Sequence, residues 1–291
     1  MASGNTTTLA LTDALPSARQ AARIVREYGK VMTTKVERVT LREGEGLSWN
    51  EFSLSRLTAQ SVTETTVMDN PQALAGTLFS VTPVVSGVQT IITERTLARV
   101  GKSVVSKFGA LGQNAMERKK DIDLLAVLDT GTVISSLGAG TILTQSALSA
   151  TTSRSRYGAG VEPPTGTGYI ILQSYQLKDI RDEIVAGVGT YTIPVGLTEE
   201  VFRRGFSGTF DSFNIFVDEN ITIDSSDDAK GGVFTSDTIV LVQGRSPWTY
   251  IRERPDIGGG ANELFLYDEY AAGVRLTNSL FEIYSDANAP T

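Results

Sequence analysis

The chain contains no histidine and no cysteine among its 291 residues. Histidine is the side chain that titrates near neutral pH, and the two residue types supply most soft and borderline metal ligands. Their absence removes imidazole relays, thiol chemistry and the common zinc sites. It also removes disulfides, so core burial and contacts with partners must hold the fold. We therefore expect no enzyme, no bound metal and no cofactor.

Positive charge is also scarce. The formal net charge is −7 and the isoelectric point is about 4.9, whereas a protein that gains affinity by neutralising phosphates usually carries a basic face. This balance argues against a sequence-specific nucleic-acid binder. No apolar run reaches about 18 residues, because Asp129, glycines and hydroxyl residues interrupt the best candidate, Leu124 to Leu143. We expect no membrane span.

What the chain does have is enough apolar material for a sizeable core. At 41% hydrophobic residues, its length fits one large domain or two medium ones.

Residues 31 to 58 are rich in valine, threonine and aromatic residues. Val39 and Leu41 stand at strand spacing before the Gly44-Glu45-Gly46 turn, and a similar pattern follows it. We predict a long hairpin with its tip at Gly44 to Gly46, within an extended loop over residues 31–70. Its charges alternate in sign along both limbs, which keeps an exposed ribbon soluble and offers ion pairs to a neighbour. An ordinary edge hairpin is the alternative.

The longest helical pattern runs from Ser103 to Asp129. At about 1.5 Å per residue it would extend roughly 40 Å, with Gly131 as its expected stop. Gly109 and Gly112 weaken a helix, so we expect them to permit close packing of another backbone. Apolar residues spaced by three or four predict the buried face: Val104, Phe108, Leu111, Ala115, Ile122 and Leu125.

The rest of the chain mixes strands and helices. Patterns of apolar residues, glycines and prolines predict strands at 77–93, 169–172, 210–217, 239–242, 248–254, 264–271 and 280–284, and helices at 144–156, 177–185 and 197–204.

Three motifs that can carry chemistry are present in weak form. Gly101-Lys102-Ser103 resembles the end of a phosphate-binding loop, but Thr96 stands where that loop needs a glycine, so a serine cap on the long helix is favoured. Acidic residues between 218 and 228 lack the spacing of a calcium loop, which favours a solvated turn. Carboxylate pairs for hydrolysis stay open, because their separation is spatial and no sequence spacing encodes it.

Several stretches, taken in order, carry a resemblance to a known family. The first stretch is the end of the long helix, at Asp129-Thr130-Gly131-Thr132. The second is a strand followed by a helix, Gly168 to Leu172 and then Leu177-Lys178-Asp179-Ile180. The third is Phe206 to Phe210, which leads to Phe213–Val217. Gly232-Val233-Phe234 and Tyr270 to Val274 look like closing strands. The order and spacing resemble the major capsid protein of tailed bacteriophages, of the Hong Kong 97 type, over nearly the whole chain.

The resemblance implies an α+β capsid fold and a structural role. Residues 1–30 would form an N-terminal arm, 31–70 the extended loop, 71–129 with 248–291 a peripheral domain whose spine is the long helix, and 130–247 an axial domain. Copies would assemble into hexamers and pentamers of an icosahedral head around double-stranded DNA, which an acidic shell holds only non-specifically. The protein would reside in the virion after assembly in the host cytoplasm.

The resemblance also implies partners. The chief partner is the chain itself. A separate scaffolding protein and a portal are expected, and a decoration protein is an option.

Two groups of residues are candidates for contacts between subunits. One group lies in the predicted hairpin: Lys35, Arg38, Arg42, Glu43, Glu45 and Trp49. The other lies where three capsomers would join, at a glycine-rich tip whose mixed charges suit reciprocal pairing around an axis: Arg252, Arg254, Asp256 and Gly259.

Other classes remain open. A phage tail-tube or adaptor protein would have a projecting hairpin with a shorter helix. An encapsulin-like shell would share the fold and package a cargo enzyme. A carboxylate-dependent hydrolase is the enzymatic alternative.

Overall fold

The computed structural model describes residues 5–6, 28–64, 71–100, 103–157, 162–187 and 208–289. Four α-helices occur in these ranges: α1 Glu94–Val100, α2 Ser103–Leu128, α3 Gln145–Tyr157 and α4 Ser174–Gly187. Short 3-10 helices lie at Met32–Thr34 and Thr277–Ser279. The strands are β1 Asn5–Thr6, β2 Glu37–Thr40, β3 Trp49–Leu54, β4 Gly76–Val81, β5 Val84–Thr93, β6 Thr132–Val133, β7 Gly168–Leu172, β8 Thr209–Phe210, β9 Phe213–Val217, β10 Asp228–Thr235, β11 Ile239–Arg254, β12 Ala261–Val274 and β13 Phe281–Asp286.

Two sheets carry most of the described chain. A five-stranded sheet has the order β1-β5-β12-β11-β2, and its long strands β5, β12 and β11 pair antiparallel. A six-stranded sheet has the order β6-β13-β10-β7-β9-β8. The central strand β7 is a short apolar run that is buried on both faces, as the sequence predicts. A separate two-stranded ribbon joins β3 to β4.

Helix α2 packs against both larger sheets. Leu124 and Leu128 are fully buried in a cluster with Ile171 and Phe234 of the six-stranded sheet, and the same cluster contains Leu241 of the five-stranded sheet. Gly232 of β10 makes this contact close, because a Cβ there would lie 2.5 Å from Cγ of Leu128. The helix therefore joins the two sheets through one continuous core.

Polar contacts fix α2 along β12. Lys120 Nζ lies 2.6 Å from Oδ2 of the buried Asp268. The Tyr270 hydroxyl donates a hydrogen bond of 2.7 Å to Asp123 Oδ2, and burial together with this bond raises the pKa of Tyr270. Because Asp268 and Tyr270 both lie on the helix side of β12, these contacts set the position of the helix across the sheet.

The position of the long helix is confirmed, but its buried face is rotated from the predicted one. Leu125 is buried as expected, and Leu111 and Ala115 are half-buried, whereas Ile122 is exposed. Asp121 takes a fully buried position beside it. The apolar spacing misses this face because a charged residue occupies part of it. The side chains of Val104 and Phe108 lie outside the described part.

The glycines of the helical region have different roles from those predicted. Gly112 does permit a close approach, but to the side chain of Leu266 rather than to a backbone, and Gly109 faces open space. Gly131 follows the helix end, where a Cβ would lie 2.8 Å from the backbone nitrogen of Glu282. Close packing against β13 therefore explains the glycine at this position.

The structure corrects two strand predictions. The expected hairpin limbs at 31–58 do not pair with each other, because β2 pairs in parallel with β11 and β3 pairs with β4. The single strand predicted at 210–217 is a tight hairpin of β8 and β9, turned by Asp211 and Ser212 at positive φ. The side chains of Phe213 and Ile215 face the core.

The sheets divide the chain differently from the predicted segments. Residues 239–247, expected with the axial segment, begin β11 in the five-stranded sheet. Residues 281–286, expected with the peripheral segment, form β13 in the six-stranded sheet.

The other strands and helices predicted within the described residues are confirmed within a few residues, with the strands predicted at 239–242 and 248–254 joined in β11. Helix α1 and strands β1 and β6 were not predicted. The predicted helix at 197–204 lies outside the described residues, as does most of the predicted arm. Among the helices that the structure describes, none is long and apolar enough to cross a membrane.

The two sides of α2 should respond differently to truncation. Leu128→Ala should lower the free energy of unfolding by about 2–5 kcal/mol, because it leaves a cavity against β10. Ile122→Ala on the exposed side should cost less than about 1 kcal/mol. Chemical denaturation of the unassembled chain measures both, and equal losses would contradict the observed helix rotation.

Candidate intersubunit surfaces

A two-stranded ribbon projects from the described core. Strands β3 and β4 pair antiparallel with Trp49 opposite Val81 and Leu54 opposite Gly76. The ring of Phe52 lies over Gly76, where a Cβ would collide with it, so glycine lets the ring cross the ribbon. Residues 55–75 connect the strands, and 65–70 of these lie outside the description.

One face of the ribbon is apolar and exposed. We call Phe52, Leu54 and Leu78 the ribbon face, since alternation along paired strands puts them on the same side. More than half of each side chain is exposed. Leu57 and Leu74 continue this exposure beyond the strands. Exposed apolar surface of this kind is a candidate interaction site.

The opposite face anchors the base of the ribbon. Trp49 packs edge-on against Phe79 at 6.0 Å between ring centroids, and both join a cluster with Val81, Val240 and Val242. Trp49, a candidate intersubunit contact, is therefore engaged within its own chain.

Arg275 fixes the ribbon base electrostatically. Its Nε lies 2.7 Å from Glu51 Oε2 on β3, and its Nη1 contacts Glu37 Oε2 on β2. The hydrogen bond to Glu37 contributes most to raising the pKa of Arg275. One guanidinium group thus fixes the position of β2 relative to β3, although the two strands do not pair.

The acidic turn predicted as the hairpin tip joins the five-stranded sheet to the ribbon. Gly44 and Gly46 both have positive φ, as a tight turn requires. The side chain of Glu45 accepts a hydrogen bond of 2.9 Å from the Arg42 backbone N–H. Arg42, Glu43 and Glu45 are exposed on this turn.

Two further candidates from the predicted hairpin lie beside the 3-10 helix at Met32–Thr34. Lys35 Nζ lies 3.7 Å from the centroid of the Phe216 ring, so a cation-π contact occupies it within the chain. Arg38 is exposed, and its Nε donates a hydrogen bond of 2.7 Å to the Thr33 carbonyl.

The second group of candidates lies at the tip formed by β11 and β12. Arg254 binds Asp256 through two hydrogen bonds of 2.9 and 2.8 Å. This pairing lowers the pKa of Asp256 to about 2. Gly259 has positive φ and faces open space, while Arg252 is exposed. The tip is therefore braced from within and presents Arg252 outward.

Sequence reasoning missed two features. Arg275 lies more than 200 residues from both of its partners, so no local pattern could reveal the clamp. An aromatic cluster lies on the side of the five-stranded sheet opposite α2, with Trp248 beside Tyr267 and Tyr250 beside Phe265. Aromatic residues at every second position of two strands were a usable signal for this cluster.

The candidate sites for chemistry gain no support from the geometry. Within the described residues, no group of three or more acidic side chains is arranged to hold a metal ion. The residues Gly101 and Lys102 lie outside the description, although α2 begins at Ser103.

No protein-family model matches the sequence, and no curated protein sequence is significantly similar to it. Solved structures are similar over almost the whole chain. The capsid structure of the cyanophage P-SCSP1u superposes with a TM-score of 0.70 at 13% identity, covering 92% of this chain and 91% of that one. A structure from Mycobacterium phage Che8 gives 0.68 at 13% identity, covering 90% and 94%. The capsid of cyanophage Pam1 gives 0.68 at 10% identity, covering 94% and 98%.

These likenesses establish the fold. The chain has the α+β architecture of tailed-phage capsid proteins of the Hong Kong 97 type. Identities of 10–13% explain why sequence comparison finds no relative while the fold is plain.

Removing the Arg275 clamp should loosen the ribbon base without unfolding the chain. In Arg275→Gln, the local stability of β3 should fall by about 1–2 kcal/mol, because partly buried charge-assisted hydrogen bonds are lost. Hydrogen exchange should then be about 5- to 30-fold faster in Trp49–Leu54. Arg252→Gln is the matched control and should leave β3 unchanged. Equal protection of β3 in both variants would disprove the clamp.

Proposed function

We propose that this chain is a major capsid protein that assembles into the hexamers and pentamers of an icosahedral phage head. The observation that carries the proposal is the exposed ribbon face in a chain with a capsid fold. An isolated two-stranded ribbon is marginally stable in water, and here its apolar side chains have no cover from the described part of their own subunit. A neighbouring copy supplies that cover.

In this proposal the two sheets have different places in the capsomer. The five-stranded sheet and α2 make up the peripheral domain, and the six-stranded sheet with α3 and α4 makes up the axial domain. The ribbon of β3 and β4 is the extended loop that lies across a neighbour. Helix α2 has 26 residues, which favours a capsid subunit over the tail-tube alternative with its shorter helix.

The contact residues divide into two roles. Trp49 holds the base of the ribbon, and Lys35 lies over the Phe216 ring of β9, so both act within the subunit. Arg38, Arg42, Glu43, Glu45 and Arg252 are the charged groups that meet other copies, with Gly259 allowing close approach at the tip. Arg254 and Asp256 brace that tip.

The function is structural and needs no catalytic group. Proposed partners are a separate scaffolding protein, a portal and, where the head is stabilised further, a decoration protein. With a net charge of −7, the shell would enclose double-stranded DNA without binding it tightly.

Assembly of the purified chain tests the proposal. The chain, expressed alone or with its scaffolding protein, should form capsomers or closed shells visible by negative-stain microscopy and sedimentation. The triple variant Phe52→Ser, Leu54→Ser and Leu78→Ser should keep its melting temperature within a few degrees, because these side chains are exposed, yet fail to assemble.

Ile142→Ser is the control, since Ile142 is an exposed apolar residue outside the ribbon. A wild-type chain that stays a 31.2 kDa monomer at high concentration with scaffold present would overturn the proposal. Normal shells from the triple variant would overturn the role of the ribbon face.

The tip of the five-stranded sheet gives a separate prediction. Arg252→Glu should preserve the fold and impair shell closure, because a repeated charge reversal accumulates over every copy. Arg254→Glu should in addition disturb the tip itself, since it breaks the pair with Asp256. Electron microscopy of the assembled products distinguishes open from closed shells. Closed shells from Arg252→Glu would remove this contact from the proposal.

A further inference from the structure

Two carboxyl groups meet in the interior between α2 and the loop after β9. Asp121 of the helix is 0% exposed and Asp218 of the loop is 1% exposed. Asn220 links the two side chains, because its backbone N–H donates to Asp218 Oδ1 and its Nδ2 donates to Asp121 Oδ2, each at 2.9 Å. Two buried acidic groups in contact cannot both be ionised without a large repulsive cost.

Asp121 also holds the root of the N-terminal segment. Its Oδ1 accepts hydrogen bonds from the backbone N–H groups of Val31 and Met32, at 3.0 and 2.8 Å. Its Oδ2 accepts a bond of 2.9 Å from Asn220 Nδ2. Three N–H donors therefore occupy the two oxygens of Asp121.

Asp218 is in the opposite situation. Its Oδ1 accepts one hydrogen bond of 2.9 Å from the Asn220 backbone N–H, and Asp218 Oδ2 is buried with no donor aimed at it from the described residues. Burial, and next the hydrogen bond with Asp121, raise the pKa of Asp218 to about 7. A proton on Asp218 would give this side chain a hydrogen to donate to Asp121.

The charged groups on the surrounding elements are engaged elsewhere. Lys30 lies 2.8 Å from Glu117, one turn along α2 from Asp121. Lys35 lies over the Phe216 ring of β9. Glu219, next to Asp218, accepts hydrogen bonds from Gln173 and Ser174 at the start of α4.

Lys230 on β10 pairs with Glu282 at 3.3 Å. Lys230 also interacts electrostatically with Asp129 near the helix end. None of these charges takes the place of the proton between Asp121 and Asp218.

We propose that the proton shared by Asp218 and Asp121 is a pH-sensitive joint that holds the root of the N-terminal segment against α2 and the six-stranded sheet. With the proton present, the joint is closed. Without it, two buried negative charges face each other and the hold on Val31 and Met32 weakens. The joint does not depend on the proposed capsid function. In a capsid it would make the attachment of Val31 and Met32 to α2 dependent on pH.

A divalent cation is a poorer occupant of this position. Such ions prefer six or more oxygen ligands, and here only two carboxyl groups meet. The oxygens of Asp121 are already surrounded by N–H donors, whose positive ends repel a cation.

The direction of the pH effect follows from linkage. The closed state binds the proton with a pKa of about 7, and the open state binds it with the ordinary value of an aspartic acid, about 3.9. The stability of the closed joint is therefore greatest below pH 3.9 and is lost as the pH rises through about 7. Between pH 6 and pH 8 the closing equilibrium should weaken about tenfold.

Hydrogen exchange of the full-length chain tests the joint at the Val31 and Met32 amides. After correction for the intrinsic pH dependence of exchange, their protection factors should fall about tenfold from pH 6 to pH 8. In Asp218→Asn the amide can donate to Asp121 at any pH, so protection should be independent of pH. Asp182→Asn, an exposed control on α4, should behave like the wild type.

A flat wild-type profile, or the same slope in Asp218→Asn, would overturn the proposal. Should the Asp218→Asn chain not fold, carbon-13 NMR of the wild-type Asp218 carboxyl group is decisive. A midpoint near pH 7 supports the joint, and a midpoint below pH 5 overturns it.

Discussion

The packing of α2 between the two larger sheets is the constraint on which the rest of the structure depends. Leu124 and Leu128 fill one core shared by both sheets, and Gly232 lets the helix approach β10 closely. Because a single rigid element joins the sheets, their relative position is fixed before any partner is met. Asp121 and Asp218 make one part of this junction polar, so the same element that fixes the fold can also respond to protons.

The projecting ribbon depends on a different set of contacts. Its base is held from within by Trp49 and Arg275, while the ribbon face is left uncovered. The fixed base sets the direction of the ribbon. The exposed apolar side chains beyond the base are free to pack against a second surface. The described part of the subunit therefore combines a packed ribbon base with an uncovered apolar face, which is the combination that the proposed self-assembly needs.

The sequence predicts the parts of this fold that have long, regular patterns. Helix α2 could be located because its apolar spacing continues over 26 residues, but its exact face could not, since Asp121 is buried by pairing rather than by hydrophobicity. The predicted hairpin was wrong because Gly44 and Gly46 strongly indicate a turn, whereas the alternation of apolar residues does not show which strands pair with each other. Arg275 and its partners are brought together only by the tertiary fold.

The most direct test of the central claim is a cryo-electron microscopy reconstruction of the assembled particle. The account predicts closed shells in which the ribbon of each subunit lies across a neighbouring copy with Phe52, Leu54 and Leu78 covered. A reconstruction in which the ribbon folds back on its own subunit, or stays exposed between subunits, would contradict it.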